Sequence, residues 1–477
     1  MTEAAVATAH NGKAHSQHIN YNFRAPDLSV PEIYEACFEP VGRTGWKSNI
    51  VIGVCLTAIG WAFFKWLEQN FVGFGKTGLH LPVYWGYYIV TFVFWIGVAH
   101  AGALISALLR LAGAEWKGIV TRVAEVITLF TLPAAGSFPL IHIGRFEVFY
   151  YMLPYPNTRL LWPNFKSMLM WDVFAISTYL TGSVLFLYLT LIPDLGIARP
   201  RMRGWMRTLY TVLSWGWRGT AEEWKRIKEA AALYSVTILP VVISVHTIVS
   251  WDFAMQQVPG WHSEVFGPLF FVGALYSGVA AVVTMLTILY WTYPSFKKLI
   301  TSVHYDMLGR IWLVLGLAWA YLFWNDFLPA YYTHEPEKMD YLWYNAFGTY
   351  APAWWFLIVG NFVVPLFCLS FKSFRRSRVP MLALSIIVNI CMYLERVVIF
   401  IPSQETYNHL NTAVTHYSPS LTEISIVVGS FGWVIGGLTV FCRIFPILPY
   451  WEVAETRVRQ IEREIAGVKV NYFQSGE

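Results

Sequence analysis

VYWGYYIVTFVFWIGVAHAGALISAL, residues 83–108, runs for 26 residues without an Asp, Glu, Lys or Arg. A helix needs about 20 such residues to cross roughly 30 Å of hydrocarbon. Comparable runs cover about 49–67, 118–142, 172–193, 231–251, 267–291, 307–328, 352–371, 380–401 and 421–441, ten in all. The composition agrees, because a chain of 477 residues that is 56% hydrophobic, 17% aromatic and 13% charged lies outside the range of a soluble domain. The expected fold is all-α: a polytopic membrane protein of ten transmembrane helices.

Ten spans put both chain ends on one side, and the loops say which. Connections after the odd-numbered spans hold roughly five Lys and Arg, against about 25 in the ends and the other loops, so the basic side is cytoplasmic. The richest loop, 194–230, carries Arg199, Arg201, Arg203, Arg207, Arg218, Lys225, Arg226 and Lys228. These charges read as topology signals and lipid-headgroup contacts, and they require no nucleic-acid partner. Residues 1–48 form an expected cytoplasmic tail with no apolar core of signal-peptide length; its His10, His15 and His18 have no cysteine partners or repeated spacing. Cys37, Cys55, Cys368, Cys391 and Cys442 are dispersed, which suits neither an iron–sulfur cluster nor a disulfide framework. The tail 442–477 includes EVAETRVRQIEREIAGV, whose spacing predicts an amphipathic cytoplasmic helix lying on the membrane or on a neighbouring subunit.

A weak internal symmetry divides the spans into two four-helix bundles, 83–251 and 267–401, flanked by spans 49–67 and 421–441. Laying one group over the other sets His246 of SVHTIVSWD against Glu395 of YLERVVIFI, and YYMLPYPNTRLLWPNF against LPAYYTHEPEKMDYLW.

Three ionisable residues occupy the outer ends of three spans: His142 in GSFPLIHIGRFE, Asp172 in SMLMWDVF and Asp252 in VHTIVSWDFA. A charge within hydrocarbon is costly, less so near the interface. A His beside carboxylates at a membrane surface suits a quinone head. Such a head needs a partner at each ring oxygen and a proton acceptor when the quinol is oxidised. Trp171 and Trp251, each directly before an Asp, could wall the ring or belong to an interfacial aromatic belt. Deeper in the membrane, His100, Arg122 and Glu125 suggest a cytoplasmic proton half-channel, or else a buried Arg122–Glu125 salt bridge beside a hydrogen-bonded His100. In the second group, Asp326, Glu395 and Arg396 are further proton-path candidates. Glu395 and Arg396 are adjacent in sequence and point about 100° apart, so each is expected to need a partner on another helix.

On the span count, the two bundles, the His ending span three and the WD dipeptides of spans four and five, the chain resembles the NrfD/PsrC family of quinone-interacting membrane subunits over roughly residues 30–450. Within that family the flanking pair of helices favours the ActC-type subunit of bacterial alternative complex III. The resemblance implies that His142 and Asp172 hold the quinol head and that Asp252 completes the pocket, with Trp171, Trp251 and His246 beside it. It implies a bacterial inner membrane location, menaquinol or ubiquinol as substrate, and no haem or iron–sulfur cluster in this chain. Electrons would pass to an iron–sulfur subunit on the periplasmic side and then to c-type cytochrome subunits. Other membrane subunits, one of them NrfD-like, would complete the complex. The family's other option is quinone reduction at the same pocket.

Three rival readings stand beside it. A di-haem cytochrome would use His142 and His246 as one ligand pair, leaving His100 at another depth without a mate. A secondary transporter would use breaks at Pro240 and Pro365 within spans five and eight. A structural anchor would keep the fold with a decayed site.

Overall fold

The computed structural model describes residues 28–153, 168–258, 260–407, 416–460, 462–465 and 468–471. The N-terminal histidines and most of the loop YYMLPYPNTRLLWPNF lie outside these. Among the described residues ten helices are long and apolar enough to cross a membrane. They are α1 (Trp46–Val72), α2 (Gly86–Leu111), α3 (Lys117–His142), α4 (Met168–Ala198), α5 (Ala221–Ala254), α6 (Phe266–Thr292), α7 (Ser302–Thr333), α8 (Ala351–Ser370), α9 (Arg378–Thr406) and α10 (Leu421–Ile444). The chain is a multi-pass, helical membrane protein.

Most helices outrun their apolar cores. α5 begins ten residues before its expected start because AEEWKRIKEA adds polar turns, and Thr220 caps them by accepting from the Glu223 amide at 3.3 Å. α8 contains a π-turn, Val359–Val363. Pro365 has no N–H to offer the Asn361 carbonyl four residues back, and that carbonyl instead accepts from the Tyr276 hydroxyl at 2.8 Å. α5 is continuous through Pro240. Neither proline makes the open helix break that a transporter site would use.

Helices α2–α5 contact one another in a ring, as do α6–α9, and α2 and α9 meet α6 and each other between the two rings. α2 lies at the centre: 94% of its most apolar stretch is buried, against 6% for α1. α2 and α6 approach through small residues. Gly97 faces Ala274, and the space a Cβ would need at Gly278 is filled by Ala101. Lipid offers no hydrophobic drive between helices, so close backbone contact has to supply the attraction. Around this seam Thr91 pairs with Tyr393 at 2.9 Å and Thr284 with Ser385 at 2.8 Å. α1 packs on α10 with the same grammar, Gly429, Gly432 and Gly436 against Ala62, Ala58 and Cys55. α10 in turn accepts the Trp95 indole N–H on Ser430 and donates that of Trp433 to the Phe130 carbonyl.

Both described ends meet on one face, called here the terminal face; the opposite one is the distal face. The Gly42 amide donates to the Arg443 carbonyl at 2.9 Å, and Tyr34 of the short helix Val30–Phe38 meets Tyr450 edge-on at 5.5 Å. The expected C-terminal amphipathic helix stops at Gln460, and Glu462–Ile465 pairs antiparallel with Val468–Asn471. The alternation in Val468, Lys469 and Val470 suits a strand, which overrides the helical spacing. One face of the helix packs on this chain's own bundle, where Trp451, Glu452, Val453 and Ala454 are buried.

Gly278→Leu has no room at the α2–α6 seam and should cost roughly 1–3 kcal/mol by overpacking. A lowered thermal midpoint in detergent would show it. Gly53→Leu on α1, where nothing lies within 4 Å, should leave the midpoint unchanged.

Candidate functional site

The two WD dipeptides meet at the distal end of the first ring. α4 carries Trp171 and Asp172 in its first turns, and α5 carries Trp251 and Asp252 in its last. Because the two helices run antiparallel side by side, the pairs face each other. The indoles lie 6.3 Å apart at 67°, and the carboxyl groups come within hydrogen-bonding reach of one another. Asp172 is 4% exposed and Asp252 7%, and among the described residues no donor reaches any of their four oxygens. Two carboxylates can only accept, so a hydrogen bond between them requires one to carry a proton.

His142 ends α3 on the same face. Gly136 of α3 stands beside Ile176 of α4, so the last turn of α3 and the first of α4 lie at matching depth. The imidazole, however, stacks on Trp85 at 3.8 Å and 20°, with Phe74 at 5.6 Å and Tyr88 edge-on at 6.2 Å. No hydrogen bond or ion pair joins it to Asp172 or Asp252 among the described residues, and its Nδ1 has no partner there. Gln69 braces this wall, donating to the Ile141 carbonyl at 3.2 Å and accepting from the Tyr88 hydroxyl at 2.5 Å. The turn that presents Trp85 depends on Gly86, whose φ of +45° and crowding by the Tyr417 ring exclude a side chain. The LHLPVYWGYY segment was the available sign of this aromatic cage, and sequence reasoning passed over it.

Deeper in the membrane a buried row crosses from one ring of helices to the other. Tyr179 stacks on His100 at 4.4 Å, and His100 meets His246 edge-on at 4.6 Å. His100 Nδ1 lies 2.7 Å from the Ile96 carbonyl, to which it donates, leaving Nε2 without a partner. Beyond His246 stands Phe270 at 6.3 Å, then the Arg396 guanidinium at 4.7 Å from the Phe270 ring. This corrects two expectations. His100 has a mate in His246, and their rings touch with no room for a porphyrin between them. Glu395 and Arg396 do pair, at 3.2 Å: their Cα vectors diverge, but two long side chains that meet no other counter-ion among the described residues bend together. Glu395 also accepts from the Trp319 indole at 2.9 Å.

Asp326 does not join the row. Lys338, from the distal helix Pro336–Phe347, holds it at 3.0 Å. In the same distal cover Tyr344 donates to the Glu405 carboxylate at 2.9 Å; burial and that carboxylate push its hydroxyl up to about 12. At the terminal end the expected Arg122–Glu125 bridge is absent. Arg122 instead pairs with Asp194 at 3.0 Å, while Glu125 accepts from Ser106 at 2.5 Å and faces Arg110 at 3.4 Å. One turn separates positions 122 and 125, but each side chain reaches the partner lying on its own side of α3.

Among the described residues no group of three His, Cys, Asp or Glu could hold a metal ion, and all five cysteines are free.

The family model described as "Polysulphide reductase, NrfD" matches residues 75–408. A putative membrane subunit of a dimethyl sulfoxide reductase from Halobacterium salinarum is 25% identical over 353 residues, covering 71% of this chain and 72% of its own. A selenate reductase subunit from Mesobacillus selenatarsenatis is 22% identical over 388 residues, covering 76% and 86%. The matched region runs from the approach to α2 to just past α9, taking in both rings, the carboxyl pair, His142 and the buried row, and the chain belongs to the NrfD family of membrane proteins.

Proposed function

We propose that this chain is the quinol-binding membrane subunit of a multi-subunit oxidoreductase. It takes up quinol at the distal end of the first ring and passes electrons to an iron–sulfur subunit docked on that face. The carrying observation is the Asp172–Asp252 pair, two enclosed carboxyl groups with no other described partner, each directly following one of two tryptophans in contact. Quinol oxidation gives up two electrons and two protons. His142, with its Nδ1 free, is suited to accept from one ring hydroxyl, and the carboxyl pair to take the other proton. The electrons would pass to a redox centre on that partner. Both named relatives are subunits of reductases, complexes that consume electrons. A membrane subunit feeding such a complex would draw on a lipid-soluble donor, which favours oxidation over quinone reduction. The ten-span form keeps the alternative complex III branch, with cytochrome partners, as the finer assignment.

The row from His100 through His246 to Arg396 and Glu395 is the proton-path part of this reading, because imidazole nitrogens without partners inside a membrane call for water or a travelling proton. Asp326 is left out of the path, held by Lys338. With the basic loops inside, the terminal face is cytoplasmic and the distal face outer.

Three measurements bear on this. His142→Ala, with assembly verified, should weaken binding of a quinol-analogue inhibitor about tenfold, the worth of ~1.4 kcal/mol; fluorescence quenching would report it, and unchanged affinity would move the site away from α3. Asp172→Asn should hold the inhibitor within about threefold of wild type yet lower quinol turnover by roughly 10²–10⁴, the usual contribution of a positioned proton acceptor. A reporter enzyme active only outside the cytoplasm should be silent when fused after residue 460 and active when inserted in the distal loop after α7.

A further inference from the structure

The terminal end of the first ring encloses five charged side chains. Arg110 of α2, Arg122 and Glu125 of α3, Asp194 of α4 and Glu452 of the C-terminal helix are each at most 8% exposed. Arg110 pairs with Glu452 at 2.7 Å and reaches Glu125 at 3.4 Å; Arg122 pairs with Asp194 at 3.0 Å and donates to the Thr190 carbonyl at 2.8 Å. Ser106 and Thr190 hydroxyls, at 2.5 and 3.3 Å, complete the surroundings of Glu125. The C-terminal segment is the roof. The Pro446 carbonyl accepts from Arg122 at 3.3 Å, the Trp451 amide donates to Asp194 at 3.1 Å and its indole to Thr190 at 3.0 Å, while Ile447 and Leu448 are fully buried.

Among the described ion pairs no third cation reaches Glu125, Asp194 or Glu452. Cys37 and the hydroxyls of Tyr210 and Tyr450 lie on the Asp194 side. Arg201 is exposed to solvent and held over the Tyr34 ring at 4.3 Å, Lys228 is taken by Glu455 at 2.9 Å on the rim, and Glu115 and His304 line a separate notch beside Val453 and Thr456.

Guanidinium groups stay charged. Three ionised carboxyl groups against two guanidiniums would leave an enclosed net charge of about one unit, which a low-dielectric interior does not tolerate. Three polar atoms inside have no hydrogen-bond partner among the described residues, Glu452 Oε2, Arg122 Nε and Asp194 Oδ2, the last of them 3.0 Å from Arg122 in the ion pair. The carboxyl groups are interleaved with the guanidiniums, and among the described residues no three of them converge as a metal site would need. We propose that the cluster of Arg110, Arg122, Glu125, Asp194 and Glu452 binds one exchangeable proton, and that the segment 446–454 is the cover across which that proton is taken up from the terminal face. The use made of the proton rests on the proton-path reading above; its presence does not.

Infrared spectra of the full-length protein in nanodiscs, recorded at neutral pH in H2O and D2O without quinol, read the carbonyl stretch of protonated carboxylic acids. Glu452→Gln leaves two carboxyls against two guanidiniums, so the wild-type spectrum should exceed the variant by one acid equivalent although Glu125 and Asp194 remain. Arg110→Gln should gain one equivalent, and Arg110→Lys should match wild type. Asp172→Asn provides a reference for the separate distal pair. Equal acid intensity in wild type and Glu452→Gln, with both chains folded by circular dichroism, overturns the proposal, whether the charge is met by a bound cation or left bare. Because Glu452→Gln should bind the quinol-analogue inhibitor like wild type, failure here and failure of the quinol site are told apart.

Discussion

The contact between α2 and α6 has to be close because the membrane gives helices little other reason to stay together. Gly97 and Ala101 on one helix and Ala274 and Gly278 on the other let the backbones approach until dispersion supplies the attraction that water would otherwise drive. Everything at the junction depends on it. His246 of α5 sits over Phe270 of α6, and Phe270 lies under Arg396 of α9, so a row of side chains with Phe270 as its apolar link spans the two helical rings where their helices meet.

Much of the buried charge is handled by opposite pairing. Arg122 has Asp194, Arg110 has Glu452, Lys338 has Asp326, Arg396 has Glu395, and Asp306 at the terminal face collects Arg310 and Arg375. Removing one member of such a pair would strand a buried charge, which typically costs about 3–5 kcal/mol. Against this pattern the Asp172–Asp252 pair is the exception, like facing like with no described cation between them. Two enclosed carboxyl groups placed like against like are suited to exchanging protons rather than to holding helices together.

The ten spans and the shared end of the chain could be read from hydropathy alone, since the bilayer imposes a length on every apolar run. The meeting of the two WD dipeptides could be anticipated from their positions at facing ends of consecutive antiparallel helices. Side-chain partners could not, because they depend on how each helix is rotated about its axis, and packing sets that rotation. Arg122 turns to Asp194 on α4 rather than to Glu125 one turn away, and Arg110 finds Glu452 at the far end of the sequence. His142 shares a depth with Asp172, yet its ring turns toward Trp85. The adjacency rule for Glu395 and Arg396 failed for a different reason: it constrains Cα directions, and side chains of that length escape it when nothing else competes.

The pairing of α1 with α10 bears on how the protein is made. Residue 72 ends α1 and residue 444 ends α10, so at about 5–20 residues per second roughly 20–75 s separate their synthesis. During that interval α1 has entered the bilayer without the glycine-rich face of α10 to lie against. Its surface suits such a wait, since Trp61, Phe63 and Phe64 stay exposed even in the finished fold, as they would against acyl chains. The clasp between the first and tenth spans therefore becomes possible only late in synthesis, just ahead of the contacts that residues 446–454 make with α2, α3 and α4.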